Sequence, residues 1–236
     1  MVCFFPAVRQ AKPLPVAHCG FFCPFDLWFI MSFSLWLTFF GASLLLAIAP
    51  GPDNLFVLTQ SAVYGVRSGL LVVLGLMSGL VVQTLCAACG VAAVVAAVPA
   101  LFMAIKMAGA AYLLYLAWGA WTHAGDAVNS AKPVELTSMQ LWRRGLIMNI
   151  TNPKVQIFFL AFFPQFVAPE TTGLALVMQM VIQGATFILA TLIVFSAIAW
   201  AAGVAADRLR SPTFTLWLNR VSAVIFVALA GFTLAS

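Results

Sequence analysis

Charge is what this chain has least of. Only 7% of its 236 residues are Asp, Glu, Lys or Arg, against 64% hydrophobic. Soluble domains carry about 25% charged residues, which argues against a water-soluble fold. Long polar segments are missing too. The widest gap between apolar runs, Thr122 to Ser138, leaves no room for a soluble catalytic or nucleotide-binding domain. No Walker sequence is present, so ATP is not the expected energy source. The alternating strands of an outer-membrane barrel are absent. Five cysteines, an odd number, do not make a disulfide framework. The net charge of +5 is scattered over the polar gaps, where retention of Lys and Arg on the cytoplasmic side accounts for it. Nucleic acid is therefore not an expected partner, and no cofactor is expected either.

What is present is a series of long apolar runs. Spanning ~30 Å of hydrocarbon takes ~20 helical residues, so the expected fold is all-α, a polytopic membrane protein with six spans. They cover about Phe33–Val63, Ser68–Val98, Leu101–Trp121, Gly145–Val167, Gly173–Gly203 and Phe214–Ala235. Residues 1–30 form an atypical extension with four prolines and no signal-peptide run. Met31 reads as a natural beginning, so the transporter-like part is taken as 31–236. His18, Cys19 and Cys23 lack a second ligand pair, and no metal site is expected.

The two halves, 31–122 and 139–236, share a layout on either side of the connector 122–138. Each opens with a span broken at proline, Pro50 or Pro153, and continues with a long span rich in small residues. Each closes with a helix led by a cation, Lys106 or Arg220. Three spans per half is an odd number, so a duplicated half must be inverted, as in many secondary transporters. Arg67, Lys132, Arg143, Arg144, Arg208, Arg210 and Arg220 flank the gaps after spans one, three and five. Lys106, Arg9 and Lys12 lie on the other side. The positive-inside rule then puts both termini outside the cytoplasm.

The breaks carry the chemistry. Proline removes a helical hydrogen bond, and non-helical backbone at membrane depth survives only against protein or an aqueous cavity. Pro50, Gly51 and Pro52 therefore predict two half-helices, with Asp53 and Asn54 as capping residues of the second. A carboxylate at mid-depth costs at least ~2.5–3.5 kcal/mol. Lys154 follows Asn152 and Pro153 at the matching break and is the expected partner of Asp53. Gln83 and Gln183 sit mid-span, as interhelical hydrogen-bonders or cavity-lining groups, and Gln179 shares a face with Gln183. Gly75-x-x-x-Gly79 favours close helix approach. Trp36, Trp118, Trp121, Trp142 and Trp200 read as interfacial anchors.

The segments "APGPDNLFVL", "YGVRSGLLVVLGLMSG", "KMAGAAYLLYLAWGAW" and "NITNPKVQIFFLAFFPQF" resemble the LysE/RhtB family of amino-acid exporters over essentially Met31 to Ser236. The resemblance implies a six-helix protein of the plasma (inner) membrane that expels amino acids or close derivatives, driven by the membrane gradient. It implies a coupling proton or cation and the lipid bilayer as partners, with a homodimer as one option. It does not imply an enzyme. Two rivals stay open: a thiol–disulfide relay through Cys86 and Cys89, and a passive channel for small solutes.

Overall fold

The computed structural model describes residues 33–97, 99–122, 124, 135–167, 171, 173–209 and 212–235. The extension 1–30, the His18, Cys19 and Cys23 group, the proposed start at Met31 and most of the connector 122–138 lie outside the described residues. So do the flanking cations Arg9, Lys12, Lys132 and Arg210.

Every element among the described residues is helical. Helix α1 (Phe33–Ile48) and α2 (Pro52–Tyr64) meet at a bend of 62°. Ala49 and Gly51 each precede a proline, which disfavours the helical conformation. Gly51 is extended, at φ −163 and ψ 175, and Pro52 opens α2 at the position where a missing N–H costs nothing. Gly65 alone separates α2 from α3 (Val66–Ala97), in a left-handed turn at φ 85. Helix α4 (Pro99–Thr122) closes the first half.

The second half starts earlier than its apolar run. Helix α5 (Ser138–Thr151) is opened by a capping box. The Thr137 N–H donates to Gln140 Oε1 at 2.9 Å, and Thr137 Oγ1 accepts from the Gln140 N–H at 3.4 Å. The expected beginning at Gly145 is therefore corrected: the turns holding Arg143 and Arg144 are already helical, because capping and not hydropathy sets the helix start. Helix α6 (Pro153–Ile157) follows and opens the segment Pro153–Phe166, which is bent by 49° from α5. It runs into a π-helical turn, Phe158–Phe162, and a 3₁₀ turn, Phe163–Phe166. Helices α7 (Gly173–Leu209) and α8 (Pro212–Ala235) complete the chain. Among the described residues, four helices are long and apolar enough to cross a membrane, and the two bent pairs bring the number to six if each is one span.

Beside an apolar core, polar side chains gather in the interior while the outer face is apolar too. Asp53, Asn54, Gln60, Gln83, Asn149, Asn152, Lys154 and Gln183 are buried. Met103, Met107, Tyr115 and Trp118 of α4 and Leu74 and Leu85 of α3 point outward, as an apolar solvent requires. Helices α3 and α5 touch backbone to backbone. A Cβ on Gly75 would collide with the Trp142 carbonyl, and one on Gly145 with the Val72 carbonyl. One on Gly79 would stand 2.7 Å from Asn149 Cβ. The glycine spacing in α3 thus serves close approach. Around Phe39, the rings of Phe158, Phe162, Phe163 and Phe166 pack at centroid distances of 5.1 to 6.4 Å.

Trp118, Trp121 and Trp200 are exposed, as anchors should be. Trp36 and Trp142 do more. The Trp36 indole donates to Thr186 Oγ1 and that of Trp142 to Ser78 Oγ, each at 3.1 Å, tying α1 to α7 and α5 to α3.

Candidate functional site

The two breaks lie against each other in the interior. Asn152 Nδ2 donates to Asp53 Oδ2 at 2.8 Å, and Lys154 Nζ donates to the Ala49 carbonyl at 3.0 Å. Each break is thus completed by the other. Helix α1 ends in carbonyls that lack partners within the helix. Lys154 takes that of Ala49, and Asn54 Nδ2 reaches back to that of Ala47 at 2.8 Å. Gly51 makes room for the lysine, since a Cβ there would lie 3.2 Å from Nζ.

One expectation needs correction. Asp53 and Asn54 do not cap α2: the N-cap is Gly51, with no side-chain cap bond, and both residues lie inside the first turn. Pro52 is the reason, because its fixed φ takes the first helical position and pushes the acid and amide one step in. Lys154, the cation expected to compensate Asp53, shares its cavity, while the hydrogen bond to Asp53 comes from Asn152. The lysine instead serves the carbonyl end of α1, and the aspartate sits at the N-terminal end of α2. Both signs suit the helix dipoles, worth ~0.3–2 kcal/mol each. That is less than the several kcal/mol of desolvating an ion, so the site is not self-sufficient. Asp53 Oδ1 is buried with no hydrogen-bond partner.

Asp53 and Lys154 nevertheless share one cavity of about 20 Å³, together with Asn149 and Thr191. Leu46, Leu76, Leu80, Val155, Phe187 and Phe195 form its apolar wall. Such a volume holds about one water molecule. Among the other predicted residues, Pro50, Gly51, Pro52 and Pro153 shape the breaks rather than the wall. Gln83 stands behind the wall, its Nε2 donating to Asn149 O at 2.6 Å and to Asn149 Oδ1 at 3.1 Å. Gln183 is fully buried on α7 but does not line the cavity.

Asn149, Thr191, Phe187 and Phe195 were not among the predicted residues. Asn149 stands three residues before Asn152 and could have been found as an amide beside a break. Nothing local marks the α7 residues.

Cys86 and Cys89 are free thiols exposed on the outer face of α3, away from the breaks. Among the described residues no group of three or more His, Cys, Asp or Glu could hold a metal ion.

The described residues thus form an all-helical membrane protein with two spans broken around buried, unlike charges. The LysE type translocator family matches residues 44–236, and the chain belongs to that family. It is 31% identical over 206 residues to the homoserine/homoserine lactone efflux protein of Salmonella typhimurium, covering 87% of this chain and 98% of that one. It is 34% identical over 141 residues to the leucine efflux protein of Salmonella choleraesuis, covering 57% and 65%. A membrane protein of Vibrio cholerae is 28% identical over 84% of this chain and 95% of its own. No solved structure matches.

Proposed function

We propose that this chain is a secondary transporter of the plasma (inner) membrane that exports amino acids or close derivatives, driven by the membrane gradient. The observation that carries this reading is the buried cavity where Asp53, with one oxygen unpartnered, and Lys154 meet across two helix breaks. A zwitterion supplies what both groups lack. Its ammonium meets Asp53 Oδ1, and its carboxylate draws Lys154 Nζ from the Ala49 carbonyl. Backbone acceptors at the end of α1 then remain for a coupling proton or cation. Relatives named for efflux of homoserine, its lactone and leucine support the substrate class.

A space of about 20 Å³ cannot hold an amino acid, since small-molecule pockets run to ~300 Å³ or more. Loading therefore requires the half-helices to part, and the breaks are the points where they can bend. Matching element order supports an inverted repeat: a broken pair, a helix of 32 or 37 residues, then one of 24 in each half. Solute would pass by rocking one half against the other.

The test is uptake into inverted membrane vesicles. Energised vesicles holding the full chain are expected to accumulate neutral amino acids, and cells overproducing it to release them. Asp53→Asn is expected to reach the membrane in normal amount and transport nothing. Full transport by that variant, or equilibration without accumulation, overturns the reading; the latter is the behaviour of a channel.

A further inference from the structure

The wall beside the charged pair has a chemistry of its own, and reading it deepens the exporter proposal, on which it rests. Among the described residues, only one candidate span contains an acid, and that acid is Asp53. Facing it in the cavity is a single cation, Lys154. Lys106, the other buried cation, is on α4 and does not line the cavity. One carboxylate and one ammonium are consumed by the head groups of a zwitterion. A cationic or anionic side chain would then enter the membrane interior with no counter-charge, which is costly.

Beside Asn149, whose Oδ1 accepts from Gln83, Thr191 is the other uncharged polar residue in a wall that is apolar elsewhere. It is only 6% exposed, it lines the cavity, and its Oγ1 has no hydrogen-bond partner. Many hydroxyls elsewhere in these helices bond to the carbonyl four residues back. Thr186 on the same helix does so to Ile182 at 2.9 Å, Ser43 to Phe39 at 2.7 Å and Ser222 to Leu218 at 2.7 Å. Thr191 forgoes that bond while sitting among Leu80, Val155, Phe187 and Phe195. Ser61 Oγ and Thr84 Oγ1 are also buried without a partner, but neither lines the cavity. A buried hydroxyl left unpaired destabilises the protein, unless a passenger completes it.

We propose that the substrate side chain is uncharged and short, and carries a hydrogen-bonding group received by Thr191, which makes Thr191 a specificity-determining residue. Apolar walls alone discriminate poorly against an added hydroxyl, whereas a site with its own polar group rejects the analogue that lacks one. Threonine and valine are the natural isosteric pair on which to measure this.

The experiment uses purified full-length protein in proteoliposomes, with threonine, valine, lysine and glutamate as competing substrates. The protein is expected to favour threonine over valine by roughly 5- to 100-fold in kcat/KM, the range set by one unpaired buried group, and to pass neither lysine nor glutamate. Thr191→Val should collapse the threonine-to-valine ratio through KM, and Thr191→Ser should restore it. The ratio is internal to each variant, so a lower yield of folded protein does not disturb it. If Thr191→Val lowers both substrates in proportion, or if lysine is carried as well as threonine, the side-chain assignment is wrong while the exporter reading stands. If the unaltered protein moves no amino acid, both fall together.

Discussion

At the first break three residues, Ala49 to Gly51, leave the helix, and no side chain caps the restart. At the second, Asn152 alone leaves it, and its own Oδ1 accepts from the Lys154 N–H at 3.0 Å. The first break offers acceptors: backbone carbonyls and a carboxylate. The second offers donors, an amide and an ammonium. Neither is complete alone, and the two hydrogen bonds between them span about a hundred residues of sequence. Two interruptions that look alike in sequence are therefore complementary halves of one site. The difference also explains why unlike charges can be buried without a direct ion pair.

The largest expected effect comes from removing one side of this exchange. Lys154→Met leaves Asp53 buried without its neighbouring cation. Stability should fall by about 3–5 kcal/mol, read as a lower midpoint of thermal unfolding in detergent, and export should stop. Asp53→Asn combined with Lys154→Met should recover much of the stability and none of the export. No recovery of stability would mean that the two charges act independently.

The glycines extend the comparison to packing. Gly145 of α5 faces the Val72 carbonyl, whereas a Cβ on Gly41 of α1 would meet nothing within 4 Å. Gly145→Val should cost about 1–3 kcal/mol or more through overpacking, with little folded protein recovered by size-exclusion chromatography. Gly41→Ala should be close to neutral. Equal effects would mean that both broken spans pack alike.

Asn152→Ala removes a cap and the donor to Asp53 together. A loss of about 0.5–2 kcal/mol is expected, with a raised KM in vesicle uptake. The smallest effect belongs to Cys86→Ala with Cys89→Ala. Both thiols are exposed, and surface changes stay within about 0.5 kcal/mol. Unchanged export by that pair removes the relay; loss of export revives it.

Much of the fold was legible because a membrane simplifies the code. Apolar run length marks the spans, Pro50, Pro52 and Pro153 mark the breaks, and the spacing of Gly75 and Gly79 marks the close crossing. All these are local signals. What stayed hidden depends on which faces meet. Asp53 was legible as a buried charge, but its bond to Asn152 follows from how the two breaks dock. Thr191 and Phe187 reach the cavity through the rotation of α7, which no stretch of its own sequence specifies. The early start of α5 was missed because hydropathy is blind to the Thr137–Gln140 cap.

Gly65 ties the inner half of the first broken span to α3 through one residue, held at a positive φ that a side chain would strain. So short a leash leaves α2 almost no freedom to swing by itself. Any tilt about Pro50 must drag α3 along like the long arm of a lever, and with it the glycine seam against α5. In the transport proposed above, a disturbance the size of one small solute would thereby become displacement along most of the bilayer's thickness.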